Sequence, residues 1–221
     1  MADTTDAVEG ITRYGETLDT RLIGTEYLLS DQKYRLDQVG ARMLATTMRP
    51  IVAAARLALY LEDGGPTLIK LPRVGKAGVQ FQEYKLRSMV VGSENDPVIV
   101  GSKLVKDPRA THIGTLLRSL SIDELPQARN ILEGSMSLVG TRPKALEEIS
   151  TYRVMDEGFY DAYVSMRPGL TGLEQIKGRG AATSKERIEL TKEYAAEASL
   201  RLDLDIIRRT IGVVAMRRGA Y

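Results

Sequence analysis

Between Arg118 and Pro143 the chain reads RSLSIDELPQARNILEGSMSLVGTRP, which sets two adjacent carboxylates, Asp123 and Glu124, among arginines at 118, 129 and 142. Acids among guanidiniums, with no thiol or imidazole in the stretch, point to chemistry on a phosphorylated substrate. The guanidinium fork matches phosphate oxygens in a bidentate way, and a carboxylate can act as nucleophile, base or ligand of a hard metal. A second arginine loop follows, Arg167-Pro168-Gly169-Leu170-Thr171-Gly172-Leu173-Glu174-Gln175, then Lys177-Gly178-Arg179-Gly180. Glycine in such loops lets a ligand approach the backbone. Two Arg-Pro loops and an acidic pair, in this order, suit a diphosphate held with Mg²⁺, whose oxygen ligands are carboxylate, phosphate and water.

Composition narrows the chemistry further. The chain has no cysteine and a single histidine, His112. Thiol nucleophiles, disulfide frameworks, cysteine zinc sites and sites needing two histidines are therefore excluded. His112 sits in DPRATHIGTLL, no G-x-S-x-G nucleophile elbow exists, and a structural role beside a helix start is the simpler reading. A net charge of +2 argues against a bulk nucleic-acid binder, and the arginine-rich tail RRTIGVVAMRR lacks stacking aromatics. At 221 residues the chain can bury one real core, with an appendage. Absence of cysteine fits a reducing compartment. The first thirty residues are polar and acidic, so they do not read as a secretory signal.

The elements that must position the acidic pair read as an α+β single domain, with helices around a small antiparallel β-hairpin. Residues 1–33 form a polar N-terminal arm, 34–66 an amphipathic helical segment broken at Pro50, and 67–221 the catalytic domain. The stretch from Tyr34 to Leu61 is largely apolar but carries Arg42, Arg49 and Arg56. Each arginine at a bilayer centre costs about 2.5–3.5 kcal/mol, so simple spanning is disfavoured. At 100° per residue the three arginines fall within about 40° of one another, making a basic stripe opposite Met43, Leu44, Ile51, Val52, Ala55 and Leu59. Such a helix either packs on a soluble core or lies in an anionic membrane face, and its periodicity is the same for both.

Beyond Gly64-Gly65-Pro66, Thr67–Leu71 reads as a strand, Gly75-Lys76-Ala77-Gly78 as a hairpin turn and Val79–Met89 as the return strand. Apolar residues change parity along that strand, which predicts a bulge near Gln82-Glu83 and puts Lys85 and Arg87 on one face. Residues 91–108 read as loop, Thr111–Ser119 as a short helix. Ser121 and Glu124 fit a capping box opening a helix that runs to about Glu133 and closes at Gly134. A capping box alone would explain one acid at its third position, not two together among arginines. Further helices are expected at 145–154 and at 184–216, the latter interrupted around Ala198-Ser199.

These residues carry a resemblance. GGP at 64–66, RVGKAG at 73–78, YKLRSM at 84–89, DPRATHIGTLLR at 107–118, DELPQARNIL at 123–132, MSLVGTRP at 136–143 and RPGLTGLEQIKGR at 167–179 are similar to bacterial sugar transferases of the monotopic phosphoglycosyl transferase type. That family starts exopolysaccharide, O-antigen and glycoprotein glycan assembly, and the likeness runs from about Tyr34 to the C-terminus. It implies a two-step transfer from a nucleotide diphosphate sugar, usually UDP-linked, to polyprenyl phosphate. By position the resemblance implies that Asp123 would be the nucleophile and a Mg²⁺ contact, and that Glu124 would assist. Lys85, Arg87, Arg118, Arg142, Pro143, Arg167, Gln175 and Arg179 map onto phosphate- and nucleotide-binding positions. The implied location is the cytoplasmic face of the cell membrane, monotopic or peripheral, with a soluble form as the alternative. Thr141 stands where the family usually has proline, Ser135 where it often has aspartate, and Glu174 replaces a small residue. Arg49 takes the serine place of the family's Ser-Pro break. A catalytically silent relative, binding nucleotide sugar or a partner enzyme, is the competing reading.

Overall fold

The computed structural model describes residues 25–93, 109–177 and 183–215. Arg179 and most of the 91–108 stretch lie outside the described residues. The chain is mostly helical around two small sheets. Helices α1 (Thr25–Leu29), α2 (Asp31–Thr47) and α3 (Arg49–Asp63) precede the hairpin β1 (Leu68–Val74) and β2 (Gln80–Leu86). Helix α4 (His112–Ser119), a 3-10 segment (Ile122–Gln127) and α5 (Ala128–Leu132) carry the acidic pair. Next come β3 (Ser137–Val139), α6 (Leu146–Met155), α7 (Glu157–Val164), β4 (Gly169–Thr171) and α8 (Leu173–Lys177). Helices α9 (Ser184–Glu197) and α10 (Leu200–Ala215) are the last described elements, with the expected break at Ala198-Ser199.

The long N-terminal helix divides where proline requires it. Pro50 lacks the N–H that would bond to Thr46 and its ring crowds that carbonyl, so α2 ends at Thr47 and α3 restarts at Arg49 with Pro50 in its first turn. Met48 joins them, its N–H on Leu44 and its carbonyl accepting from Val52. Gly64 ends α3 in the left-handed conformation, at φ 71°.

Residues 33 and 34 both lie inside α2, which is fastened to the rest of the chain. Lys33 Nζ reaches Asp203 Oδ2 at 2.7 Å and the Val139 carbonyl at 2.9 Å. Asp203 also accepts from Tyr27 (2.8 Å) and Tyr194 (2.7 Å). Asp37 accepts from Ser137 Oγ and the Leu138 N–H. One buried polar cluster thus pins the first helices to β3 and to α10. Such a cluster is tolerable in the interior because Lys33 pairs with both acids and each accepts hydrogen bonds, Asp37 Oδ2 alone in it being buried without a partner among the described residues.

The hairpin is regular, with Leu68 opposite Leu86 and Val74 opposite Gln80 in unbroken register. The bulge expected near Gln82-Glu83 is absent. The apolar parity changes because both faces of the ribbon are covered. Phe81 packs on Ala41, Ile131 and Met136, while Leu86 packs with Ala55, Leu59 and Leu117. The hairpin turn at 75–78 forms as expected, with Ala77 and Gly78 at positive φ. The capping box at Ser121 is also absent. Ser121 is left-handed, at φ 56°, makes no side-chain cap bond, and opens a 3-10 segment rather than an α-helix. Pro126 gives the reason, since it has no N–H to return to Ile122 in α geometry. A complete capping box forms instead at Thr183 and Glu186, opening α9.

The two Arg-Pro loops, read as loops from the sequence, are joined by a short parallel pair, β3 with β4. A Cβ at Gly169 would stand 2.1 Å from the Gly140 backbone nitrogen, and one at Gly140 would stand 2.5 Å from the Arg167 carbonyl. The glycines are there because the two backbones touch.

Candidate active site

Asp123 and Glu124 lie on the 3-10 segment, which is docked against β2 by side chains at its end and just beyond. Gln127 Nε2 donates to Glu83 Oε1 at 2.8 Å, and Arg73 Nε holds Glu83 Oε2 at 2.8 Å. Asn130 accepts the Tyr84 N–H at 3.0 Å and donates to the Gln82 carbonyl at 2.7 Å, behaving as a third strand on the open edge of β2. This docking brings the acidic pair onto Lys85, which projects from β2. Lys85 Nζ stands 3.0 Å from Asp123 Oδ2 and 3.2 Å from Glu124 Oε1. Arg142, from the first Arg-Pro loop, reaches Glu124 Oε1 at 3.6 Å.

Exposure grades across the cluster. The Asp123 side chain is 4% exposed, Glu124 22% and Arg142 33%, so the site opens to solvent on the Glu124–Arg142 side. Burial works to lower the Lys85 pKa, but Glu124 and Asp123 together outweigh it and hold the ammonium above its ordinary value. The Arg142 pKa is raised by Glu124 against the opposing effect of burial. The cluster is therefore two acids with two fixed cations, open on one side. Its cations are arranged to receive phosphoryl charge, and its acids to serve as nucleophile, base or metal ligand.

The other residues singled out by sequence are placed as follows. Arg87, two residues after Lys85, is turned to Asp63 at the end of α3 in a bidentate pair of 2.7 and 2.5 Å, and is only 4% exposed. Arg118 ends α4, and its carbonyl accepts the Ser121 N–H at the turn into the acidic segment. Pro143 is buried between Arg142 and Lys144. Arg167 lies within electrostatic reach of Lys76 at the hairpin turn, where burial first and Arg167 second lower the Lys76 pKa. That turn is about 17 Å along the ribbon from Lys85, at ~3.4 Å per residue pair. Gln175 sits in α8, with its Oε1 buried and without a hydrogen-bond partner.

Sequence reasoning flagged Thr141 and Glu174 separately, and here they meet. Thr141 Oγ1 donates to Glu174 Oε1 at 2.9 Å. Lys144, fully buried, grips both Glu174 oxygens at 3.0 and 2.9 Å. Its backbone N–H donates to the Tyr163 hydroxyl at 2.9 Å. The Lys144–Glu174 pair ties the Arg142 loop to the second arginine loop. Lys144 was not anticipated, though a lysine directly after Arg-Pro and an unusual glutamate in the partner loop were the available signals.

Comparison with known proteins identifies the family. Residues 30–217 match the family model described as bacterial sugar transferase. The chain belongs to that family. It is 38% identical over 202 residues to a UDP-galactose-lipid carrier transferase of Erwinia amylovora, a match covering 86% of this chain and 41% of that protein. It is 38% identical over 197 residues to a UDP-glucose:undecaprenyl-phosphate glucose-1-phosphate transferase of Caulobacter vibrioides, covering 86% and 72%. An exopolysaccharide production protein of Rhizobium meliloti, ExoY, is 33% identical over 204 residues, covering 86% and 88%. The chain thus spans less than half the length of some of these relatives and most of the length of others.

Proposed function

We propose that the chain transfers a sugar 1-phosphate from a nucleotide diphosphate sugar, UDP-linked as in the named relatives, to polyprenyl phosphate, and so starts a surface glycan. The observation that carries the reading is the Asp123–Lys85–Glu124–Arg142 cluster on the 3-10 segment. In the first step an Asp123 carboxylate oxygen attacks the β-phosphorus of the donor. The P–O bond to the nucleoside monophosphate breaks, UMP leaves with that bridging oxygen, and the sugar phosphate is left as an acyl phosphate on Asp123. In the second step an oxygen of polyprenyl phosphate attacks the same phosphorus, and the Asp123 carboxylate is the leaving group. Splitting one displacement into two suits a carboxylate nucleophile.

Lys85 holds Asp123 Oδ2 and so orients the other oxygen toward the phosphorus. Arg142 and Lys85 neutralise charge on the transferring phosphoryl group and the departing UMP. Glu124, more exposed than Asp123, orients the acceptor or accepts its proton. Among the described residues no three His, Cys, Asp or Glu side chains gather as a metal cage. The donor set nonetheless fits Mg²⁺ in its usual mode with nucleotides, with one or two carboxylates, here Asp123 with Glu124, and the remaining ligands from substrate phosphate and water. When bound, the ion would neutralise diphosphate charge. The test is UMP release by purified protein given Mg²⁺, polyprenyl phosphate and a panel of UDP-sugars. Release with at least one sugar supports the reading, and none with any sugar favours the silent relative.

We also place the chain at the cytoplasmic membrane face, through the paired helices α2 and α3. Among the described residues no helix is long and apolar enough to cross a membrane. Met43, Ile51, Leu57, Tyr60 and Leu61 are nevertheless exposed on these helices, beside the exposed Arg42 and Arg49. Apolar side chains with adjoining cations suit an anionic interface. The protein is expected to float with anionic liposomes and to be partly released by salt. Failure to float at low salt would remove this placement.

A further inference from the structure

The arginines that interrupt the N-terminal helices have a partner surface. A groove of about 340 Å³ lies where α2 gives way to α3. Its walls are Leu44 and Met48 of α2, Val52 of α3, Tyr84 of β2, and Leu125 and Pro126, which directly follow Glu124. The lining is almost wholly apolar, yet Arg49, Arg56 and Arg129 also border it and, among the described residues, no acidic residue does. Arg129 is occupied, paired with Glu133 and stacked 4.5 Å over the Tyr84 ring. Among the described residues Arg56 bonds only the Thr67 hydroxyl, at 3.0 Å. Arg49 has no polar partner among the described residues. An apolar trough with uncompensated guanidiniums at its edge is complementary to an amphiphile with a hydrocarbon chain and an anionic head.

We infer that this groove holds the phosphate-proximal isoprene units of the acceptor, with Arg49 and Arg56 drawing its phosphate to the groove mouth. The inference rests on the transfer reading and adds to it the acceptor's seat. Position selects the occupant: the groove wall is continuous with the segment bearing Asp123, so a chain lying in it delivers its head to the reacting carboxylate. Its volume is at the lower end of small-molecule sites, with room for a few isoprene units and none for a helix of another protein. The proline break has a use in this light. It falls at the groove itself, and the residue before the proline is Arg49.

Two measurements test it. In detergent, the double variant Arg49→Ser, Arg56→Gln and, separately, Ala53→Trp, which fills the groove from an exposed position, are expected to raise the KM for polyprenyl phosphate about ten-fold or more, the scale of a lost charged hydrogen bond. The KM for the sugar nucleotide is expected to stay within two-fold of wild type. Unchanged acceptor KM, or equal loss toward both substrates, overturns the inference. Independently of turnover, a photoreactive polyprenyl phosphate is expected to label peptides containing residues 44–53 and 125–129, with unlabelled polyprenyl phosphate competing and phosphatidylglycerol not. Labelling elsewhere, or equal competition by phosphatidylglycerol, removes the acceptor seat and leaves the transferase reading standing. Groove labelling with no turnover of any sugar nucleotide does the reverse.

Discussion

Asp123→Asn is expected to lower acceptor-dependent UMP release by about 10⁴-fold or more, the scale of loss when a covalent nucleophile is removed. The substitution keeps size and hydrogen-bonding shape but removes the negative oxygen that would form the bond to phosphorus. It also removes one of the two acids facing Lys85, whose ammonium then faces Glu124 alone across 3.2 Å. Folding is expected to survive, since Gln127, Asn130 and Glu83 dock the segment without Asp123. Glu124→Gln is the informative companion. If Glu124 acts on the acceptor, its loss falls mainly on the second step, so a single turnover of donor persists while steady-state turnover drops. Equal release by wild type and Asp123→Asn would remove Asp123 from the mechanism.

The second large effect concerns stability. Lys144→Met leaves Glu174 buried without its counter-charge, which costs about 3–5 kcal/mol for a pair of this kind and lowers Tm by roughly 10 °C. Adding Glu174→Leu is expected to restore most of that loss, because a buried ion pair replaced by packed apolar groups is commonly neutral. The neighbouring hydroxyls do not oppose this. With Glu174 replaced, Thr141 is free to donate to the Thr191 hydroxyl 3.1 Å away, while Thr191 donates to the Arg187 carbonyl at 2.9 Å. Thermal melts of the single and double variants settle the matter. A double variant no more stable than the single would mean the pair does more than hold two loops together. Donor KM in the restored double variant then reports how far loop position depends on the ion pair rather than on the β3–β4 contact.

Features written in local sequence were legible, and those written in contacts across the chain were not. The hairpin turn, the helix break at Pro50, the left-handed stop at Gly134 and the interruption at Ala198-Ser199 all follow from glycine, proline or a change of period, and the structure has them. The acidic pair, Lys85 and Arg142 were picked as site residues on type and resemblance, and the fold does bring these four together. Arg87 looked equivalent to Lys85, being two residues away on the same face, but its guanidinium goes to Asp63, 24 residues earlier. Nothing local distinguishes a cation destined for substrate from one destined for a buried carboxylate. The parallel pair of three-residue strands was invisible for the same reason, since strands that short have no periodicity to read and exist because Gly140 and Gly169 let two loops touch. Helix α7 was missed too, although its Phe159, Tyr160, Tyr163 and Val164 are all core residues. The capping box at Ser121 failed where a local motif met a proline at the wrong distance.

The central claim is that Asp123 carries the sugar phosphate between donor and acceptor. Intact-protein mass spectrometry after mixing enzyme, Mg²⁺ and the active UDP-sugar, with no polyprenyl phosphate present, tests it directly. The account predicts a mass increase equal to one sugar phosphate, mapped to Asp123, accompanied by one equivalent of UMP and discharged when polyprenyl phosphate is added. No adduct and no UMP until the acceptor arrives, in an enzyme that then turns over normally, would contradict it and put direct transfer between the two substrates in its place.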